Sequence, residues 1–119
     1  MKRDMDLIRA VLIEVEKLPY DGRFHDISVQ GHSEEEITYH VMLTHEAGLI
    51  EAHNLSSHDG VCWKPKRVTY EGHEFLDSAR SETVWNKAKE KLLSTSGSIT
   101  LDALKALLPQ IILRLASGS

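Results

Sequence analysis

Seven histidines and one cysteine are the side chains best suited to metal ligation or nucleophilic attack in this chain. A helical metal site needs ligands at i and i+4, because that spacing puts both on one face. His40 and His45 are five apart, as are His53 and His58, and no histidine pair has the four-residue spacing. Neither H-E-x-x-H nor C-x-x-C occurs. The pattern therefore predicts structural or surface histidines, with no metal and no cofactor. Cys62 stands beside Trp63, where a cysteine is more often a small packed residue than a reactive thiolate. The nucleophile elbow G-x-S-x-G and the phosphate loops G-x-x-x-x-G-K-[ST] and G-x-G-x-x-G are missing as well. No catalytic residue is predicted, and the chain is not expected to be an enzyme.

Charge is the more informative chemistry. The stretch SEEEITYHVMLTHEAGL at 33–49 contains Glu34, Glu35, Glu36 and Glu46 and no lysine or arginine. Acids in a first helical turn are stabilising, because they face the positive end of the helix dipole. The same acids would repel phosphate if the helix entered a major groove, where affinity comes largely from neutralising the backbone. A basic patch follows in VCWKPKRVTY at 61–70, where Lys64, Lys66 and Arg67 lie near Trp63 and Tyr70. Those cations, with Lys87 and Lys91 further on, are the candidate nucleic-acid contacts. Lysine and proline also protect edge strands from aggregation, which is the plainer explanation of the patch. Weak, non-specific DNA binding is the expectation, with an unidentified protein as the main partner.

These groups must be positioned by a small domain of 119 residues, of net charge −4 and 41% apolar. No run approaches the 18 apolar residues of a membrane span. The start, MKRDMDLIRAVLIEVEK, scatters charge among apolar positions and does not resemble a secretion signal. A cytoplasmic protein is expected. Leu7, Ile8, Val11, Leu12, Val15 and Leu18 recur at helical spacing and predict a helix over 7–18, closed by Pro19-Tyr20-Asp21-Gly22. A short strand is expected at 24–29. Ser33 and Glu36 form a capping box that opens a helix over 33–47, and Gly48 ends it. A hairpin is expected between about Leu49 and Val68, with Pro65 at an edge or a bulge. Helices at 69–79 and 81–93 come next, then the linker-like STSGS at 94–98. Leu101, Leu104, Leu108, Ile111, Ile112 and Leu115 make a last apolar helix face, which Pro109 should kink or split near Leu108.

YHVMLTHEAGLIEA at 39–52 resembles the recognition helix and following strand of ArsR-type winged helices, through His40, Val41, Ala47, Gly48, Leu49 and Ile50. Thr44 stands where that pattern usually has leucine. RVTYEGHEFLD at 67–77 resembles the passage that leaves the wing in many such regulators. ArsR-type sensors bind metals through cysteine and histidine, but the resemblance transfers no ligand set. More narrowly, MKRDMDLIR, the SEEEI–YH–EAGLI stretch and the passage from Thr69 to Leu92 resemble a small bacterial and phage-associated family of unknown function. The resemblance implies an α+β fold, a winged helix-turn-helix-like domain with additional C-terminal helices. Only Gly31-His32 separates the expected first strand from the reading helix, so the usual preceding helix is absent or merged.

The expected organisation is a winged-helix core over 1–80 and a helical extension over 81–119 packed on the same domain. The expected function is a non-enzymatic, prophage-linked regulator or adaptor acting through protein contacts. The alternatives are a DNA-binding regulator using the basic wing, and a metal or small-ligand sensor. Leu104, Leu108, Ile111, Ile112 and Leu115 are the candidate seam of a homodimer, because a two-fold interface can reuse one apolar face.

Overall fold

The computed structural model describes residues 1–118. Among them the protein is α+β, with five helices and one two-stranded antiparallel sheet. The elements are α1 (Met5–Glu16), α2 (Glu34–Glu46), β1 (Ile50–Asn54), β2 (Trp63–Val68), α3 (Tyr70–Ala79), α4 (Glu82–Ser96) and α5 (Leu101–Ala116). Two compact units divide the chain, Met1–Glu74 and Phe75–Ser119. The division falls inside α3, before the 80/81 boundary read from the sequence. Phe75, in the second half of that helix, meets Trp85 edge-on at 6.3 Å, which ties this half to α4.

In the first unit α1 starts two residues before its expected position because Asp4 caps it. The Asp4 carboxylate accepts from the N–H groups of Asp6 and Leu7 at 2.9 and 3.3 Å. Met5, Leu7, Ile8, Val11, Leu12 and Val15 are buried along one face. The helix stops at Glu16, since Leu18 precedes a proline and is steered away from helical geometry. α1 packs on α2 and β2, and α2 packs on both strands. Burying each large aliphatic contributes about 1.5–3 kcal/mol, so this shared core holds the hairpin to the two helices.

The hairpin pairs Ile50 with Val68, Glu51 with Arg67, Ala52 with Pro65 and His53 with Lys64, with a bulge between Glu51 and Ala52. Pro65 thus lies beside a bulge, as its missing N–H requires. No strand forms at 24–29, contrary to expectation. A single backbone bond, from the His25 N–H to the Pro65 carbonyl at 3.0 Å, joins that segment to β2. The reason lies on β2: Pro65 has no N–H to offer, and the Trp63 N–H is already given to Thr38 Oγ1 at 2.6 Å. An edge without donors cannot support a third ladder.

In the second unit α4 and α5 pack together, with Val84, Trp85, Ala88, Leu104 and Leu108 buried. α4 runs three residues past its expected end. The hydroxyls of Ser94 and Thr95 donate to the Lys91 carbonyl, and that of Ser96 to Leu92, so most of the supposed linker is a last helical turn. Gly97, at φ 75°, then ends the helix in the left-handed conformation. α5 is not split at Pro109. The carbonyl that Pro109 leaves without its helical donor belongs to Lys105, which is exposed, so water can satisfy it.

Candidate functional site: the α2 face and the hairpin

α2 is built from its N-terminus. Ser33 Oγ accepts from the Glu36 N–H at 3.1 Å, and Glu36 Oε1 accepts from the Ser33 N–H at 3.0 Å. The other Glu36 oxygen lies 3.2 Å from His32 Nδ1. The backbone bond from Ser33, and then His32, hold the Glu36 carboxyl below its ordinary range. One of the three consecutive acids is therefore committed to the cap, while Glu34 and Glu35 remain exposed.

The inward face carries Ile37, His40, Val41 and Thr44. His40 is 1% exposed and fully partnered. Its Nδ1 donates to the Glu36 carbonyl at 2.7 Å, and its Nε2 accepts from the Asp4 N–H at 2.8 Å. These partners set the tautomer and join the start of α1 to α2. Thr44, fully buried in place of the leucine of the ArsR-like pattern, gives its hydroxyl to the His40 carbonyl at 2.6 Å. The flank of α2 holds the hairpin. Thr38 receives the Trp63 N–H, and His45 Nδ1 receives the Ala52 N–H at 3.2 Å. The His45 ring also lies 5.4 Å from that of Trp63.

What remains outward is a stripe at spacings of four, three and four: Glu35, Tyr39, Met42 and Glu46. The two acids are exposed, and Tyr39 and Met42 between them are half-buried, as is Leu43 alongside. An apolar centre thus sits between acidic ends, and neither lysine nor arginine lies on the helix.

The three hairpin cations do not stand free. Lys64 Nζ is 3.1 Å from Asp26, which pulls the Lys64 pKa up. Arg67 Nε donates to Glu51 at 2.7 Å, and Lys66 Nζ lies 3.6 Å from the same carboxylate. Arg67 first, then Lys66, hold Glu51 below its ordinary range. Three cations thus face two carboxylates. Asp26 is largely exposed and the other groups are part-exposed, so solvent screening leaves these pairs little net stability. Asp26 is a partner that sequence reading missed, since its approach to Lys64 joins residues 38 apart.

Lys87 and Lys91 lie one turn apart on α4 of the second unit, both exposed. Of the five residues expected at a dimer seam, Leu104 and Leu108 have no exposed surface in the single chain. Both are occupied in their own core, so neither is available to a partner. Ile111 and Ile112 are half-buried and Leu115 is 45% exposed, with Leu113 beyond them at 69%. Ile112 and Leu115 line a groove of about 500 Å³ with Val84, rimmed by the Arg80–Asp77 ion pair.

The histidines are dispersed. His25 is 2.9 Å from Asp21, His73 is 3.6 Å from Glu16, and the His53 ring lies 5.4 Å from that of Phe24. Among the described residues no three of His, Cys, Asp or Glu converge as a metal site would require. None of the described helices is long and apolar enough to cross a membrane.

Comparison with known proteins gives a family rather than an activity. A protein of Haemophilus influenzae, carrying the name "Uncharacterized protein", is 38% identical over 113 residues, covering 94% of this chain and 96% of its own. No solved structure matches the chain. Residues 2–98 match the family described as "Hypothetical protein (DUF2513)", which takes in every element from α1 to α4. The chain belongs to the DUF2513 family.

Proposed function

We propose that the first unit is a winged-helix-type binding module that acts through protein contacts, as a regulator or adaptor of the phage-associated kind and not as an enzyme. The observation that carries this is the outward face of α2, acidic at both ends and apolar between, in the position where a DNA reader would present arginine and lysine. Helix, extended segment, helix and hairpin succeed one another in winged-helix order, although the extended segment makes no ladder. Such a face suits a partner segment with an apolar anchor flanked by basic residues. Half-desolvated charge pairs would set its register, and Tyr39 and Met42 would supply the buried centre.

The second reading, DNA binding, draws on two observations. Lys66 and Arg67 share one carboxylate, which leaves a surplus positive charge, and Lys87 and Lys91 are exposed. A titration of labelled duplex DNA at near-physiological salt separates the two. Protein recognition predicts only weak, non-specific affinity, and sequence-selective binding tighter than about 10⁻⁷ M would overturn it. Affinity capture from the native host, with and without nuclease, gives the complementary test. The captured protein should survive nuclease, be lost with a Glu35→Lys, Glu46→Lys variant, and persist with Lys64→Ala. Homodimerisation through the open part of α5 is compatible with this reading and independent of it.

A further inference from the structure

The chain has seven aromatic residues: two Trp, three Tyr and two Phe. Only Tyr20 and Tyr70 are largely exposed, at 90% and 75%. They are 50 residues apart in sequence, yet both line one cleft of the first unit, of about 540 Å³. Val15 in the last turn of α1, Leu18 just beyond it and Val68 at the end of β2 give it an apolar lining. A buried aromatic ring removes about 150–250 Å² from water, so two rings left uncovered on the same concavity are poorly explained by folding alone.

The β2 side of the cleft is cationic. Lys66 and Arg67 both line it, and Glu51 serves both, so one positive charge is left uncompensated within that group. Arg67 is also held in place: its Nε donates to Glu51 and its Nη1 to the Val68 carbonyl at 3.3 Å. A guanidinium has five N–H donors, so about three remain for an anion. On the opposite side Glu16 lies 3.6 Å from His73 Nδ1. The Glu74 carboxylate, one helical turn on from Tyr70, pushes the phenol's pKa up.

We propose that this cleft binds a nucleotide, with its base stacked on the exposed tyrosines and its phosphate at Lys66 and Arg67. A bare anion would use the cations and leave the rings idle, whereas a neutral aromatic would do the reverse. A nucleotide uses both, and the cleft falls within the roughly 300–1,000 Å³ typical of small-ligand sites. The same chemistry is offered by a free mononucleotide and by an exposed single strand, where stacking on aromatic side chains is tolerant of sequence. None of the residues involved belongs to the α2 stripe, so the protein-contact reading and this site stand or fall separately.

The test is calorimetric titration of the full chain with adenosine 5′-monophosphate, a short oligothymidylate and inorganic phosphate, alongside amide chemical-shift mapping. Saturable binding of either nucleotide probe is expected, with shifts centred on Tyr20, Lys66, Arg67 and Tyr70. A Tyr20→Leu, Tyr70→Leu variant should weaken it about tenfold or more. Arg67→Gln should do the same, and Glu35→Gln should leave it unchanged. Tighter binding of the oligomer identifies the single strand as the source, and equal binding identifies the free nucleotide. The proposal is overturned if neither probe saturates, if phosphate alone binds as well, or if the wild-type shifts fall elsewhere. Retained affinity in the tyrosine variant would overturn it too.

Discussion

Replacing Gly72 by alanine tests how the hairpin base is held. Gly72 lies buried in the first turn of α3. At an unobstructed helical site the change would stabilise the protein by about 0.4–1 kcal/mol, since alanine is the better helix former. Here a Cβ would fall far inside van der Waals contact with the Leu49 carbonyl oxygen, 2.9 Å from its carbon and 2.7 Å from Val68 Cγ1. Two of those three obstacles are backbone, which cannot rotate aside. The Leu49 carbonyl also accepts the Thr69 N–H at 3.0 Å, and Thr69 Oγ1 caps α3 by accepting the Gly72 N–H at 3.0 Å. Relief therefore requires the first turn of α3 to move away from Leu49, at the expense of that hydrogen bond. Overpacking costs about 1–3 kcal/mol and the lost bond about 1 more. Setting the helix-propensity gain of about 1 kcal/mol against these leaves a net loss of about 1–3 kcal/mol. Urea unfolding followed by circular dichroism at 222 nm should show a lower midpoint with an unchanged slope. A Gly72→Ala protein as stable as wild type, or more so, would refute the close approach of α3 to Leu49.

Three further outcomes are expected from the same geometry. His40→Ala should cost about 2–4 kcal/mol in the same urea assay, because it leaves the Asp4 N–H without its acceptor and opens a cavity. An unchanged midpoint would mean that the α1–α2 link carries no stability. Glu36 and Glu51 both titrate below their ordinary value of 4.5 in the folded protein. Their contribution is therefore complete above that pH and is lost as the pH falls through the lowered folded values. An acid titration of the Glu36→Gln, Glu51→Gln variant should show a flatter stability loss below pH 4.5 than wild type. Finally, a wild-type dimer is expected in sedimentation equilibrium at micromolar concentration. Leu113→Glu, Leu115→Glu should dissociate it without unfolding, whereas Leu108→Glu should unfold the chain because that side chain is fully buried. A monomeric wild type would remove the α5 seam.

The candidate site was only partly legible in advance. The acids of α2 and the cations of β2 could be named from composition, and Ser33 with Glu36 announced the cap that the structure contains. What could not be read was how the cations are spent. Lys64 meets Asp26, and both Lys66 and Arg67 meet Glu51, so the hairpin is less positive than its own residues imply. Nothing in the local pattern distinguished Tyr20 and Tyr70, which are exposed, from Tyr39, which is half-buried. Leu104 and Leu108 likewise looked equivalent to Leu115 along the helix, yet only Leu115 retains substantial exposure.

The difference arises from the range of the interactions. Caps, helix periodicity and the turn at Gly48 depend on residues three to five apart, and the sequence alone determined them: Asp4, Ser33, Ser81 and Thr100 each cap a helix that starts at the next residue. Where local pattern misled, a more distant partner had intervened. The strand pattern at 24–29 forms no strand because Thr38 takes the Trp63 N–H across 25 residues and Pro65 has none. His40 is structural because Asp4, 36 residues away, donates to it, and Arg67 is compensated by Glu51 at a separation of 16. Such partners are set by where the packed core returns the chain, and only the tertiary structure decides that. A side chain's type states which bonds it can make, while its charge and exposure in the folded protein depend on which of those bonds the fold brings within about 3 Å.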